Sequence, residues 1–316
     1  MIKYLSLFSG IGGFEVGLSN SHYNFECIGS SEVDKYALSI YSRHFPQHKQ
    51  WGDVKEIRTE ELPDFDLLVG GFPCQSFSNA GWGRGFDDIR GTVFFEIVRI
   101  LKDKRPTYFL LENVAGLLYN NNGKTFKRIL RIFASLGYYV KWEILSSKEN
   151  GGLPQKRERI FIRGYFRERC GGEILFKHGY YEQTISGANP YCVENEGYFL
   201  KIRETTKKGY KEAYPFDGVL LNRTGRQIMR GMVQNKAIGT LATYCNWGVV
   251  TNDFRIRKLT PLECERLQGF PDNWTKYGKD GEEISDSKRY KCIGNAVTTT
   301  VITFITNIMF GELNEN

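Results

Sequence analysis

Cys74 stands in Gly71-Phe72-Pro73-Cys74-Gln75, directly after the apolar run at 65–69. A cysteine held at the carboxyl end of a buried strand lies where ligands bind in open α/β folds. Its thiolate is an intrinsically strong nucleophile, so covalent catalysis is one reading. A small buried hydrophobe is the other. Glu112, in Glu112-Asn113-Val114 after the apolar run 108–111, would face the same cleft. Burial there would raise its pKa and let it give up a proton in a reaction, although it could equally cap the next helix. In Gln155-Lys156-Arg157-Glu158-Arg159, a strand period of two puts Gln155, Arg157 and Arg159 on one face. Two guanidiniums on one face suit a planar oxygen acceptor or a phosphate. Near the start, Phe8-Ser9-Gly10-Ile11-Gly12-Gly13 lets a backbone approach a ligand closely. Glu32 and Asp53 each read alone as a surface charge. Their placement at successive strand ends favours an adenosyl cofactor without a diphosphate, with Glu32 on the ribose hydroxyls and Asp53 on the adenine amine.

These residues need elements to hold them. Short apolar strands are expected at 3–8, 25–29, 65–69, 108–111, 139–145 and 159–165, with helices at 14–18, 34–45, 93–101 and 126–136. Such alternation predicts a parallel sheet flanked by helices. Beyond residue 165 the rhythm stops, and 170–255 is rich in Gly, Tyr, Asn and Lys without a sustained period, which reads as a second, irregular domain. Thr260-Pro261 predicts a helix start, with Thr as cap and Pro at the first helical position. The apolar segment 296–310 suits a final helix packed on the sheet.

The 316 residues are 41% hydrophobic and 25% charged, as in ordinary globular chains, and can bury a large core. No stretch approaches the roughly 18 successive apolar residues of a membrane span, and Met1 leads straight into strand-like sequence without a signal-peptide core. A cytoplasmic protein with no membrane association is expected. Seven cysteines, at 27, 74, 170, 192, 245, 264 and 292, contain no CxxC pair, which argues against a zinc site or a disulfide framework. No metal is expected. The net charge of +7 is concentrated: residues 199–236 hold nine Lys or Arg against three acids. That segment is either a solvated face or a surface for a polyanion.

Taken in order, the motifs resemble those of bacterial DNA (cytosine-5)-methyltransferases of the restriction-modification type. The set runs through Phe8-Ser9-Gly10-Ile11-Gly12-Gly13, Glu32, Asp53, Gly71-Phe72-Pro73-Cys74-Gln75-Ser76-Phe77-Ser78 and Arg90-Gly91-Thr92-Val93-Phe94-Phe95. It continues through Glu112-Asn113-Val114, Gln155-Lys156-Arg157-Glu158-Arg159, the run from Arg257-Lys258-Leu259-Thr260-Pro261 to Gln268-Gly269-Phe270-Pro271, and Gly294-Asn295-Ala296-Val297. The resemblance implies an α/β fold, the Rossmann-like S-adenosylmethionine-dependent methyltransferase, with a mixed sheet, helices on both faces and a smaller irregular target-recognition domain. Residues 1–170 and 290–316 would form the catalytic, cofactor-binding domain, 171–255 the target-recognition domain and 256–289 a hinge.

The implied activity is methyl transfer from S-adenosylmethionine to C5 of a flipped-out cytosine in a short specific duplex sequence, leaving S-adenosylhomocysteine. Cys74 would add to C6, Glu112 would engage N3, and Arg157 and Arg159 would support the pocket, Arg159 at the base O2. Phe8 would stack near the adenine; Gly10, Gly12, Val54, Val93, Asn295 and Val297 would complete the cofactor pocket beside Glu32 and Asp53. On DNA the resemblance places Gln75, Ser78 and Thr240-Leu241, with Thr240 on a phosphate beside the flipped nucleotide. Gln227 would fill the vacated duplex position, and Arg226 and Arg230 are candidates for groove contacts. The expected partner is double-stranded DNA, with a cognate restriction endonuclease acting separately and the chain itself a monomer. Two other classes stay open: an RNA (tRNA) cytosine-5 methyltransferase on the same scaffold, and a non-enzymatic DNA-binding protein. The basic recognition region favours duplex DNA over the first, and intact Cys74, Glu112 and Arg159 weigh against the second.

Overall fold

Alternating apolar strands and amphipathic helices build the first half of the chain. The computed structural model describes residues 1–72, 93–168, 199–203, 209–221 and 228–311. In order come β1 (Ile2–Leu7), α1 (Gly13–Ser19), β2 (Phe25–Ser31), α2 (Lys35–His44), β3 (Leu67–Gly71), α3 (Val93–Lys104), β4 (Tyr108–Val114) and α4 (Lys124–Ser135). Then β5 (Tyr138–Ser146), the two-residue β6 (Gln155–Lys156) and β7 (Glu158–Phe166) follow without a helix. The six longer strands form one sheet in the order β2-β1-β3-β4-β7-β5. β1 to β4 run parallel, whereas β7 lies antiparallel between β4 and β5. The sheet is therefore mixed, as the resemblance implies, and the parallel sheet read from the βα rhythm alone holds for β1 to β4. Residues 147–157, which join β5 to β7, hold no helix, and a parallel crossover needs about a dozen residues or more, usually as a helix.

Strand alternation sorts the core into two layers. Leu5, Leu7, Leu68, Phe109, Leu111, Ile160 and Ile162 pack with Phe94, Ile97 and Leu101 of α3 and Ile129 and Phe133 of α4. Tyr4, Leu67, Val69, Leu110, Phe161 and Tyr165 face the other way. Because β2 and β3 flank β1 on opposite sides, the connections diverge and leave a crevice at the carboxyl ends of β1 and β3.

Past β7 the elements are β8 (Leu200–Arg203), β9 (Tyr210–Ala213), β10 (Gly218–Leu221), β11 (Ile228–Gln234), β12 (Ile238–Gly239), β13 (Trp247–Val250) and β14 (Ile256–Lys258). The sheet β11-β10-β13-β14 is antiparallel, as is the β8–β9 pair. Most of these strands span two to four residues, too few to leave a period in the sequence. β12 pairs in parallel with β6, which joins this region to the connection between β5 and β7.

Three helices close the fold: α5 (Pro261–Leu267), α6 (Asp286–Asn295) and α7 (Thr299–Gly311). Thr260 caps α5 in a reciprocal capping box with Glu263, as the Thr-Pro signal predicts. The final helix begins at Thr299, three residues later than the apolar run suggested. Asp286–Gly311 is on average apolar and long enough to cross a membrane. It is two helices, however, and Ile302, Ile305 and Met309 of α7 are fully buried with Phe14 and Leu18 of α1. The close approach of α1 to α7 depends on Gly17, where a Cβ would lie 2.4 Å from Ile302 Cβ and 2.7 Å from the Thr299 carbonyl oxygen.

Candidate active site

The loop after β1 must turn sharply to start α1. Gly12 takes φ +89°, a left-handed conformation that costs glycine little. Phe8 adopts φ +54° and packs, half-buried, in the same apolar cluster as Val54, Phe72 and Val93. A Cβ on Gly10 would meet only the Phe8 carbonyl oxygen, at 4.0 Å, so the space beside it is open. Across that space Glu32 Oε2 accepts the Gly10 N–H at 2.8 Å, while Oε1 accepts the Val33 and Asp34 N–H groups, both at 2.8 Å. A carboxylate has about four lone-pair sites, so Glu32 keeps acceptor capacity for a neighbouring diol. Asp53 caps the short 3₁₀ turn Val54–Glu56 by accepting the Lys55 N–H at 3.0 Å. Val54 itself is 2% exposed, its side chain given to the core. Asn295 ends α6 with its side chain exposed.

Val297 joins the glycine loop to the end of β3. Its Cγ2 lies 2.7 Å from where a Gly13 Cβ would be, and its Cγ1 lies 3.7 Å from that of Gly71. A Cβ on Gly71 would also stand 3.2 Å from Glu112 Oε2. Thus the end of β3, the glycine loop and the carboxylate meet at one point. Glu112 lies inside β4, opposite Gly71 and Phe161, which removes the helix-cap reading. Its Oε1 is 2.9 Å from Arg159 Nε. Burial pushes the Glu112 carboxyl above its usual range, and the nearby charges of Arg159 and Arg157 only partly oppose this. Such a group can hold a proton and give it to a base nitrogen.

Asn113, which the sequence reading left without a role, donates from Nδ2 to the Phe72 carbonyl oxygen at 2.8 Å. It fixes the last described residue before the segment that carries the cysteine. Cys74, Gln75 and Ser78 lie outside the described residues, as do Arg226 and Gln227. Of Arg230 the structure gives the backbone, in β11.

The expected shared face of Gln155, Arg157 and Arg159 is interrupted. Short-range bonds from the Gln155 N–H to the Leu153 carbonyl (2.7 Å) and from the Arg157 N–H to the Gln155 carbonyl (3.0 Å) turn the chain between β6 and β7. Arg157 is 3% exposed and donates to the Ala296 carbonyl at 2.8 Å and to that of Gly294 at 3.4 Å. Burial and the adjacent Arg159 charge push its pKa down to about 9, with Glu112 pulling it back up. At neutral pH it stays a cation, within electrostatic reach of Glu112.

A buried amide web surrounds this clamp. Gln155 donates to the Leu267 carbonyl at 2.8 Å and accepts the Leu241 N–H at 3.0 Å. Gln268 donates to the Ile293 carbonyl at 3.1 Å and accepts the Thr298 hydroxyl at 2.8 Å. The sequence does not reveal either glutamine's partners; a polar side chain next to an apolar residue within a motif is the signal it offers. Thr240 is exposed, donating to the Lys156 carbonyl at 3.2 Å, while Leu241 is buried. The pair therefore sits one residue beyond the β6–β12 pairing, beside the arginine motif. Among the described residues no group of three or more His, Cys, Asp or Glu could hold a metal ion.

Known proteins match the chain over nearly its whole length. The family model for C-5 cytosine-specific DNA methylase matches residues 2–184 and 173–311. The chain is 36% identical over 329 residues to the Type II methyltransferase M1.ScrFI of Lactococcus lactis subsp. cremoris, covering 99% of this chain and 79% of that protein. It is 38% identical over 311 residues to the Type II methyltransferase M.NgoBI of Neisseria gonorrhoeae, covering 96% of this chain and 91% of that one. In fold it is similar to the S. pombe Dnmt2 methyltransferase, with a TM-score of 0.70 at 19% identity over 99% of this chain and 100% of the other. With that family model covering residues 2–311 and relatives above 30% identity matched along nearly the whole of this chain, the chain belongs to the C-5 cytosine-specific DNA methylases and is a DNA cytosine-5 methyltransferase.

Proposed function

We infer that the protein transfers a methyl group from S-adenosylmethionine to C5 of a flipped-out cytosine in a short specific duplex sequence, with Cys74 as nucleophile. The observation that carries this reading is the meeting of Glu112, raised in pKa by burial, with the end of the strand that leads to Cys74. The cofactor fits the residues present: Glu32 has spare acceptor capacity facing the open space at Gly10, and Phe8 and Val93 supply a half-buried apolar wall. When bound, S-adenosylmethionine supplies an electrophilic methyl group. Glu32 holds the ribose hydroxyls, Asp53 the adenine amine, and Val297 with Asn295 closes the pocket.

C5 of cytosine is too weakly nucleophilic to attack a methyl donor unaided. The Cys74 thiolate forms a bond to C6 while Glu112 delivers its proton to N3, and the ring electron pair moves to C5. Arg159 holds Glu112 and the base O2. After C5 is methylated, its proton passes to solvent water acting as base, the N3 proton returns to the Glu112 carboxylate, and the C6–S bond breaks with its electron pair leaving on the Cys74 sulfur, so aromaticity returns. An ordinary thiol, with a pKa of about 8.5, is only a few per cent ionised at neutral pH, and the buried positive charge of Arg157 favours the thiolate. The target base must leave the stack, at a cost of a few kcal/mol. Contacts from Gln75, Ser78, Gln227 and Thr240 offset that cost, and Arg226 and Arg230 read the groove; Leu241, 3% exposed and with its N–H on Gln155, packs in the core instead of meeting DNA. Residues 171–255 act as the recognition domain and 256–289 as the hinge, on the catalytic body formed by 1–170 and 290–316. The chain works as a cytoplasmic monomer, with a cognate endonuclease as a separate protein.

A duplex carrying 5-fluorocytosine tests the reading, because fluorine cannot leave as a proton. A covalent adduct with wild type, and none with Cys74→Ser, is expected. No adduct on any DNA containing that base would contradict the covalent mechanism.

A further inference from the structure

The helix α4 carries a stripe that the chemistry above does not use. Phe126, Ile129 and Phe133 turn into the core. Lys124, Lys127, Arg128 and Arg131 are exposed at spacings of three, four and seven residues, which places them on one face. The helix, KTFKRILRIFAS, contains no acidic residue. Ordinary solvated faces mix signs, because opposite charges one turn apart stabilise a helix. Here Lys124, Lys127 and Arg131 form no salt bridge among the described residues. Cations near a helix amino terminus also oppose the helix dipole, and the Gly123 cap adds no side-chain bond. Helix stability therefore does not account for the stripe.

Its position supplies a reason. β4 ends at Val114 beside the carboxylate site, and α4 begins ten residues later. In the sheet, Asn113 is opposite Ile160, which is opposite Ile144 of β5, so Ile144 lies two strand spacings, about 10 Å, from the residue that holds Phe72. Ile144 is 41% exposed and Trp142 46% exposed, and Trp142 meets the Phe126 ring of α4 edge-on at 5.2 Å. The first turn of α4 thus packs on β5, the strand two spacings from β4, and the basic stripe runs along about 10 Å of helix on its outer face.

We propose that the α4 stripe is a second duplex-DNA contact surface, on the catalytic body, that binds phosphates flanking the target nucleotide. Its occupant follows from charge: a line of cations of one sign matches the phosphate line of a duplex, which carries one charge per about 1.7 Å of axis. Trp142 and Ile144 offer adjoining apolar surface to the sugars. The proposal rests on duplex DNA being the substrate.

The test compares wild type with Lys124→Glu/Lys127→Glu/Arg131→Glu on a random-sequence duplex, across a salt series. The triple variant is expected to bind at least about tenfold more weakly near 0.1 M salt and to lose about 2 to 3 from the slope of log affinity against log salt. The charge-conserving Lys124→Arg/Lys127→Arg/Arg131→Lys variant should keep the wild-type slope. An unchanged slope and affinity in the charge-reversed protein, with an unchanged melting temperature, would overturn the proposal. Methyl transfer by wild type into unmethylated genomic DNA is measured alongside. Its absence, or transfer to tRNA instead, contradicts the function beneath the proposal; transfer to DNA with an unaltered variant contradicts the proposal alone.

Discussion

Glu112 sits where burial and two guanidiniums act against each other, and burial prevails. That balance favours the protonated carboxyl, in the direction that the proposed delivery to N3 needs, and it makes a sharp prediction. Glu112→Gln keeps the size and a hydrogen-bonding oxygen but has no proton of the right acidity. Its kcat should fall by about 100-fold or more with little change in DNA affinity; turnover near the wild-type rate would remove Glu112 from the chemistry. Arg157 is of a different kind. Its guanidinium bridges the Gly294 and Ala296 carbonyls, and hydrogen bonds to charged groups contribute about 1.5–3 kcal/mol. Arg157→Lys, which cannot span both, should lower stability by about 2 kcal/mol, read as a lower melting temperature. An unchanged melting temperature would mean that the clamp contributes nothing. The sequence located both residues by motif. It could not show that Arg157 is turned to carbonyls, because the break between β6 and β7 is made by backbone bonds that no side-chain period records.

At the scale of elements, the glycines of α1 decide how closely α7 can lie. On an exposed helix Gly→Ala stabilises by about 1 kcal/mol. At Gly17 the new methyl would be forced against Ile302 and the Thr299 carbonyl, so Gly17→Ala should instead destabilise by about 1–3 kcal/mol. The sign of the change in a urea melt decides between packing and propensity. α1 also buries Glu15, which accepts the Tyr41 hydroxyl at 3.0 Å and is pushed by burial up to about 7. Its folded pKa lies above the unfolded value of 4.5. The stability it contributes is therefore complete below pH 4.5 and lost as pH rises through about 7. Relative to Glu15→Gln, wild type should lose about 3 kcal/mol between acid and mildly alkaline pH; parallel stability curves for the two proteins would contradict this. The strands and helices of the first half were legible because runs of four or more apolar residues carry a period. The antiparallel turn of β7 was legible only in the missing helix between 147 and 157. α6 went unseen because DSKRYKCIGN shows little apolar periodicity, and its buried face includes Arg289 and Tyr290.

For the whole molecule, the sheet brings β1, β3 and β4 to one edge, and motifs far apart in sequence converge there through Val297, Gly13, Gly71 and Glu112. The order of those motifs was readable from the chain. Their convergence was not, since it depends on β1 lying between β2 and β3 and on residues 294–297 returning from the far end. The sequence also held the positive charge of residues 199–236 and of α4, whereas only the fold puts α4 against β5, two strand spacings from β4. DNA binding should accordingly weaken steeply with salt; a flat response would leave both basic surfaces without a partner. The central claim is that this assembly methylates C5 of cytosine in a specific duplex sequence through Cys74. Bisulfite sequencing of DNA from cells expressing the protein, with Cys74→Ser in parallel, tests it most directly. The account predicts protected cytosines at one position of one short motif with wild type and none with the variant. No protected motif with wild type, or the same motif with Cys74→Ser, would contradict it.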